Sequence, residues 1–353
     1  MNNSSLFYFE QLSLEIYPKR VVIMSEKREN VKLSKWLDKN IPHYFSNKGD
    51  LIEIIEIIAE ATISIRGLLE KGITSREIEQ RMNIKNVKEK TKNVYGESQI
   101  HEDVLTHSII LKALQESDTD FLFVASEEAE PVLSDGKFGI TIDPVDGSSN
   151  VIVNRTVGTI VGIYDEAGRI VCSFYVLYGI YTNLILALNG QVAEFILDTS
   201  PYSMTFYHYV FQELKTLPNK EEGGIRCLGG DSTEWSDKCR AYEQLLINHH
   251  FKNRYSGSFV GDFHAIITYG GIYSYFPSPK PKIRVYYEWL PLAFIIKTLN
   301  GEFLIIGSTE DPNNVKKIEH IEPLTKTNVN KIHDVTSGGL LGSAIPVNLF
   351  LSL

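Results

Sequence analysis

The stretch FGITIDPVDGSSN (138–150) limits what this chain can fold into more than any other part of the sequence. Its first residues are strong β-formers and predict a buried strand, and Asp143 and Asp146 follow at the end of that strand. Pro144 stiffens the backbone between the two aspartates, and Gly147 allows the chain to approach a ligand closely. The strand therefore ends in two carboxylates and a small turn that is rich in hydrogen-bond donors.

A second acidic strand end lies a few residues earlier. The segment DFLFVASEEAE (120–130) predicts a strand that ends at Glu127 and Glu128. Adjacent strands would bring both acidic ends to one edge of a sheet, where clustered carboxylates repel one another unless a cation is present. Oxygen ligands without His or Cys favour Mg²⁺ or Mn²⁺ over zinc.

The turn after the aspartates fits a phosphate. If a helix begins at residues 147–149, its first N–H groups and the serine hydroxyls form an anion site. A metal cluster beside a phosphate cradle is the working unit of a phosphatase, and the spacing favours this interpretation. The alternative is an Asx turn that caps a helix, with acids that are there by coincidence.

Composition excludes several other classes of protein. The chain has 353 residues, of which 43% are hydrophobic, and this is enough for a large core and suggests two packed domains. A formal net charge of −9 disfavours nucleic acid or an anionic membrane as the main partner. No stretch approaches the roughly twenty apolar residues of a membrane span. The three cysteines have no metal-binding spacing, so we expect reduced thiols in a cytoplasmic protein.

The order of predicted elements divides the chain in two. The first half reads as two amphipathic helices followed by strands and hairpins, and residues 199–224 read as a polar connection. From Ile225 a second α/β unit begins, in which residues 254–268 read as a strand. We predict a poorly ordered N-terminal extension, a metal-binding α/β domain and a C-terminal α/β domain that binds the sugar phosphate, at residues 1–30, 31–222 and 223–353.

The segment DPVDGSSN resembles the signature of class I fructose-1,6-bisphosphatases, a family within the lithium-sensitive, Mg²⁺-dependent sugar phosphatase superfamily. Further motifs of that family follow in order, namely GESQIHEDVL (96–105), ASEEAE (125–130), TVGTIVGIY (156–164), RYSGSFVGDFHAIITYGGIYSYFP (254–277) and KIRVYYEWLPLAF (282–294). The resemblance implies an α/β layered sandwich, of the α+β kind, with two domains, mixed sheets and packed helices. It also implies hydrolysis of the 1-phosphate of fructose 1,6-bisphosphate to fructose 6-phosphate, a reaction of gluconeogenesis.

The same resemblance implies a role for each matching residue. The metal ligands would be Glu127, Asp143, the carbonyl of Val145, Asp146 and Glu288, with two or three Mg²⁺ (or Mn²⁺) ions in each active site. The acids near the attacking water would be Glu97, Asp103 and Glu128. The groups that hold the two phosphates of the substrate would be Gly147, Ser148, Ser149, Arg254, Tyr255, Tyr275, Lys282 and Arg284. In the family the matching arginine, here Arg254, reaches in from a neighbouring subunit, which implies a homo-oligomer, either a tetramer or a dimer.

The chain departs from the family pattern in two places, one that concerns the substrate and one that concerns inhibition by AMP. The stretch LGGDSTEW (228–235) lacks the Asn-x-x-Tyr pair that helps to hold the retained phosphate, so sedoheptulose-1,7-bisphosphatase is the alternative activity. An inositol-type monophosphatase and an inactive regulatory homologue are weaker alternatives. AMP-inhibited members carry a Lys-Tyr pair and a later arginine where this chain has Lys137-Phe138 and Asp165. We therefore expect weak AMP inhibition or none.

Overall fold

The computed structural model describes residues 31–43, 45, 47–81, 91–92, 98–99, 101–199, 207–279, 281–307, 311 and 314–353. The predicted N-terminal extension, residues 1–30, lies outside the described residues, and so does Glu97.

Three helices open the described part of the chain. They are α1 (Leu33–Asn40), α2 (Lys48–Arg81) and α3 (His101–Gln115), and a short ribbon of β1 (Thr91–Lys92) and β2 (Ser98–Gln99) lies between α2 and α3. Leu51, Ile54, Ile55 and Ile58 recur at helical spacing along α2 and are fully buried, because this face packs into the protein interior. Helix α3 packs against α2 and also against the first large sheet.

The first large sheet has eight strands in the order β10-β9-β8-β7-β6-β5-β3-β4. Only β3 and β5 pair in parallel, and the other pairs are antiparallel. The strands are β3 (Phe123–Ser126), β4 (Ala129–Leu133), β5 (Gly139–Asp146), β6 (Val157–Tyr164), β7 (Ile170–Tyr178), β8 (Thr182–Leu188), β9 (Gln191–Asp198) and β10 (His208–Leu214). The short helix α4 (Ser149–Ile152) follows β5.

The second large sheet is mixed and has six strands in the order β12-β11-β13-β16-β14-β15. Its strands are β11 (Ile225–Gly229), β12 (Lys252–Asn253), β13 (Gly271–Tyr275), β14 (Glu302–Ile306), β15 (Val315–Lys316) and β16 (Gly338–Gly342). The helices of this half are α5 (Asp237–Asn248), α6 (Phe259–Tyr269), α7 (Leu290–Thr298) and α8 (Ala344–Leu351), and one π-helical turn (Val285–Trp289) leads into α7.

One hydrophobic core joins the two sheets. It contains Phe123 and Ile160 from the first sheet and Tyr273 from the second, with α6 and α7 packed between them. Phe259 stacks on Tyr273 at a centroid distance of 4.0 Å and meets Trp289 edge-on at 4.8 Å. These aromatic contacts fix the beginning of α6 and the π-helical turn relative to β13 of the second sheet.

The α/β class with mixed sheets is confirmed, and two local predictions are wrong. Residues 199–224 contain strand β10, which pairs with β9 and buries Tyr209 and Val210. Residues 254–268 form a loop and helix α6 rather than a strand. Their apolar positions 260, 263, 266 and 267 recur at helical spacing, and the Ser258 hydroxyl caps the helix by accepting the Gly261 N–H at 3.1 Å.

The predicted domain boundary at residues 222–223 falls in the connection between β10 and β11, where the chain passes from one sheet to the other. It stays a prediction. Within the described ranges, no helix combines the length and the apolar composition needed to cross a membrane.

Candidate metal and phosphate site

Two acidic strand ends lie side by side at one edge of the first sheet. Strands β3 and β5 are parallel and in register from Phe123–Gly139 to Ser126–Ile142. The turn after β3 begins at Glu127, whose N–H donates to the Ile142 carbonyl at 3.1 Å. Parallel pairing therefore places Glu127 and Glu128 beside Asp143, as the sequence predicted.

Three buried carboxylates converge at this edge. Asp143 and Asp146 from β5 and Glu288 from the π-helical turn each offer a ligand oxygen, and these oxygens lie within 4.8 Å of one another. Burial, followed by the charges of Glu127 and Glu288, raises the pKa of Asp143 well above its usual range. The pKa of Glu288 is also raised well above its usual range, by burial and then by the charge of Glu127. Such a set of oxygen donors at short range fits a divalent metal ion.

The beginning of helix α6 holds Asp146. One oxygen of this carboxylate accepts the Ser258 hydroxyl at 2.7 Å and the Val260 N–H at 2.8 Å, and the other accepts the Phe259 N–H at 3.1 Å. Burial raises the pKa of Asp146, and these hydrogen bonds oppose the rise. The first turn of α6 thus orients Asp146. The sequence did not reveal this role of Ser258, because residues 254–268 read as a strand.

Arg284 lies next to the carboxylates. Its backbone N–H donates to Glu288 Oε2 at 2.6 Å, and its Nε lies 3.6 Å from Glu127 Oε1. Its guanidinium also lies 3.3 Å from His333 Nε2. The residue is buried, so its charge acts at short range on the acids around it.

The turn after Asp146 opens toward a cavity of about 430 Å³. Gly147 has a φ angle of 75°, and a Cβ atom at this position would lie 2.8 Å from the Ser258 Cβ. Both the backbone conformation and the close approach of α6 therefore require glycine. Ser148 and Ser149 follow at the start of α4 and line the cavity with Gly147.

The same cavity extends from the carboxylates to the second sheet. The predicted site residues that line it are Glu127, Glu128, Asp143, Val145, Asp146, Gly147, Ser148, Ser149, Tyr255, Tyr275, Lys282 and Glu288. Further lining residues, which the sequence did not single out, are Gly257, Phe259, Tyr273 and Ile283. One cavity therefore brings together all five predicted metal ligands and three of the predicted phosphate-binding groups of the second half of the chain, Tyr255, Tyr275 and Lys282.

The tyrosines at the far end meet above Gly229 in β11. A Cβ atom at Gly229 would lie 2.7 Å from Tyr255 Cε2 and 2.8 Å from Tyr275 Cδ2. Burial and then the neighbouring Tyr275 raise the pKa of Tyr255 to about 12, so this phenol stays protonated and can donate a hydrogen bond. The loop that carries Tyr255 is held by Asp262, whose two oxygens accept the Ser256 N–H at 3.0 and 3.1 Å.

Among the residues that the structure describes, three predicted site residues do not line the cavity. Arg254 is exposed, and its backbone N–H donates to the Arg226 carbonyl at 3.0 Å. Asp103 is buried in the first turn of α3. Arg284 contacts the site through Glu127 and Glu288, as described above.

Family models match most of the chain. The model for "Fructose-1-6-bisphosphatase, N-terminal domain" matches residues 43–208, and the model for "Fructose-1-6-bisphosphatase, C-terminal domain" matches residues 220–329.

Curated relatives and solved structures agree with the family models. The class 1 fructose-1,6-bisphosphatase of Natronomonas pharaonis is 31% identical over 263 residues, which cover 71% of this chain and 86% of the relative. That of Methanocorpusculum labreanum is 36% identical over 220 residues, which cover 59% of this chain and 66% of the relative. The crystal structure of Leishmania major fructose-1,6-bisphosphatase in holo form aligns over 92% of this chain and 99% of that chain, with a TM-score of 0.73 and 21% identity.

Proposed function

The chain belongs to the fructose-1,6-bisphosphatase family, and we propose that it is a phosphatase that hydrolyses the 1-phosphate of fructose 1,6-bisphosphate. Water supplies the oxygen that bonds to phosphorus, the bond between phosphorus and the sugar oxygen breaks, and fructose 6-phosphate and inorganic phosphate leave. The observation that carries the proposal is the single cavity that joins the acidic cluster and the Gly147–Ser149 turn to Tyr255, Tyr275 and Lys282. A substrate with two phosphates needs one anion site at each end of such a cavity.

The acidic end would bind Mg²⁺, or Mn²⁺ in its place, as two or three ions. The residues that would hold the metal are Glu127, Asp143, the carbonyl of Val145, Asp146 and Glu288. When bound, the metal lowers the pKa of a coordinated water and neutralises charge on the phosphoryl group.

Other groups of the site would bind the scissile phosphate and accept a proton from water. The N–H groups of residues 147–149 and the Arg284 guanidinium would hold the phosphate oxygens, since both are preorganised donors beside the carboxylates. Asp103, together with Glu128, would accept the proton of the attacking water, and Glu97 is the third acid proposed near that water.

The far end would hold the phosphate that is retained. Tyr255, Tyr275 and Lys282 line this end as protonated phenols and an ammonium group, which suit a phosphate dianion. Arg254 is exposed on the same loop as Tyr255, in keeping with a role at the site of a neighbouring subunit. We therefore propose a homo-oligomer, a tetramer or a dimer, that acts in the cytoplasm.

One observation favours a second candidate substrate, sedoheptulose 1,7-bisphosphate. Tyr275 and Lys282 also line an adjoining cavity of about 410 Å³, together with Asp231, Glu234, Ser278 and Pro279. This extra room, with carboxylates that can accept hydrogen bonds from sugar hydroxyls, would suit a longer sugar. An inositol monophosphate leaves the far end without a ligand, so we rank it below both bisphosphates.

The test is phosphate release by the purified full chain with Mg²⁺. Fructose 1,6-bisphosphate, sedoheptulose 1,7-bisphosphate and inositol 1-phosphate are compared at equal concentration, and each assay is repeated with EDTA. We expect the fructose ester to be turned over with the highest kcat/KM and EDTA to abolish the activity. A preference for the sedoheptulose ester would replace the proposed substrate, and the absence of release from all three would refute the proposed phosphatase activity.

A further inference from the structure

A β-bulge separates the two aspartates of strand β5. Asp143 pairs with Ile160 of β6 and Asp146 pairs with Gly158, so Pro144 and Val145 together stand opposite the single residue Thr159. A bulge of this kind removes backbone groups from the regular ladder, and those groups need other partners in a buried site.

Side chains supply these partners. The Asp143 carboxylate accepts the Val145 N–H at 3.0 Å, and the Thr159 hydroxyl donates to the Pro144 carbonyl at 2.8 Å. Proline has no N–H, so this carbonyl is its only polar backbone group. The geometry of the bulge, and with it the spacing of Asp143 and Asp146, therefore depends on the hydrogen bond from Thr159.

A second hydroxyl fixes the first. Tyr178 of β7 lies with its hydroxyl oxygen 2.9 Å from Thr159 Oγ1. A threonine hydroxyl has one proton, and here that proton points to the Pro144 carbonyl, so Tyr178 is the donor and Thr159 the acceptor between them. Thr159 is fully buried and Tyr178 is 9% exposed, so water does not compete effectively for these bonds. The result is a chain of two hydrogen bonds that runs from β7 through β6 to the bulge.

We propose that Thr159 and Tyr178 are positioning residues for the metal site. Their hydrogen bonds hold the bulge in the conformation in which Asp143 and Asp146 can both coordinate one metal ion. This inference rests on the proposed metal-dependent function. Neither residue lines the cavity, so both act through the Pro144 carbonyl rather than by contact with metal or substrate.

If Thr159 only stabilised the fold, its loss would lower stability without a specific effect on metal binding. Thr62 provides a matched control for this alternative. Thr62 in α2 donates its hydroxyl to the Ala59 carbonyl at 2.6 Å and lies 2.8 Å from the Tyr209 hydroxyl. Like Thr159, Thr62 is fully buried between a carbonyl and a tyrosine hydroxyl, but the carbonyl that it bonds belongs to α2 rather than to the strand that carries Asp143 and Asp146. Loss of either threonine hydroxyl should destabilise the fold, whereas only Thr159 should affect metal binding.

The experiment measures the binding of Mn²⁺ by electron paramagnetic resonance, and thermal unfolding in EDTA, on full-length variants. Thr159→Val should weaken Mn²⁺ binding by roughly 10- to 100-fold, the usual effect of losing a group that orients a metal ligand. Thr159→Ser keeps the hydroxyl and should bind Mn²⁺ as wild type does. Thr62→Val should lower the unfolding temperature and leave Mn²⁺ affinity unchanged.

Two outcomes would overturn the inference. One is wild-type Mn²⁺ affinity in Thr159→Val, and the other is a loss in Thr62→Val as large as that in Thr159→Val. If Thr159→Val does not fold, Tyr178→Phe is measured in its place. Weaker Mn²⁺ binding in Tyr178→Phe would support the proposed positioning role, and unchanged binding would refute it. Phosphate release by the wild-type protein is measured separately, so a wild type that binds Mn²⁺ but hydrolyses nothing refutes the proposed function and leaves this inference to the binding data.

Discussion

Replacing Asp143 by asparagine should stabilise the protein without metal and destabilise it, relative to wild type, when metal is present. Asp143 is one of three buried carboxylates whose ligand oxygens lie within 4.8 Å of one another. Without a cation these carboxylates repel one another, and with a bound cation each of them attracts it. The effect of Asp143→Asn on the free energy of unfolding should therefore be positive without metal and negative with metal.

The expected size follows from the geometry. Two unit charges 4.8 Å apart repel by about 3.5 kcal/mol when the effective dielectric constant is about 20. Asparagine at position 143 removes two of the three repulsive pairs and keeps an oxygen that can accept the Val145 N–H. The wild-type cluster relieves part of the repulsion by keeping protons, so we expect a gain of roughly 2 kcal/mol in the free energy of unfolding.

The same reasoning gives the pH dependence of the metal-free protein. Burial raises the pKa values of Asp143, Asp146 and Glu288 above those of an unfolded chain, which lie near 4. The native state therefore binds more protons than the unfolded state as the pH rises above about 4. The stabilisation from this excess is complete below the unfolded values and is lost as the pH rises through the higher folded values. Metal-free wild type should lose stability from about pH 4 toward neutrality, and Asp143→Asn should lose less.

The assay is urea unfolding followed by circular dichroism, at neutral pH, in EDTA and in Mg²⁺. Glu194→Gln is the control, because Glu194 is a buried acid that lies 2.9 Å from the Lys215 ammonium and is therefore already paired with a cation. It should lose stability in both buffers. If Asp143→Asn were less stable than wild type in EDTA, the carboxylates would not repel as the structure indicates, and the reasoning would be wrong.

Two further predictions concern the substrate and the regulator. Gly229→Ala should raise KM for the bisphosphate with little effect on Mn²⁺ affinity, because the alanine Cβ atom would lie within 2.8 Å of the rings of Tyr255 and Tyr275. Steady-state kinetics measures KM and a metal titration measures Mn²⁺ affinity. An unchanged KM would contradict the prediction. AMP should inhibit phosphate release weakly or not at all, because Asp165 places a carboxylate where AMP-inhibited members have arginine. Within the described residues, this carboxylate forms an ion pair with Arg169 at 2.7 Å. An AMP titration with half-inhibition at micromolar concentration would contradict the prediction.

The acidic edge of the first sheet could be predicted from the sequence because its signals are local. A run of β-formers followed by carboxylates marks a strand end, and this pattern occurs twice. The structure adds the parallel pairing of β3 with β5, which places Glu127 beside Asp143. Glu288 is different, since it lies far along the chain and only the resemblance to a known family connected it to the cluster. The position of Glu288 depends on the π-helical turn before α7, and no local sequence pattern predicted that turn.

The parts that the sequence did not reveal depend on tertiary contacts. Helix α6 is rich in β-branched and aromatic residues and read as a strand, yet its apolar positions face one core and its Ser258 cap makes the helix favourable. That misreading concealed the donors that hold Asp146.

The bulge in β5 was hidden for a related reason. A regular strand would place Asp143 and Asp146, three residues apart, on opposite faces of the sheet. The extra residue of the bulge shifts the alternation so that both aspartates lie on the side of Glu288. Thr159 of β6 bonds the Pro144 carbonyl within that bulge. The strand alone therefore specifies the ligands, whereas the bulge and the side chain opposite it specify that the ligands converge.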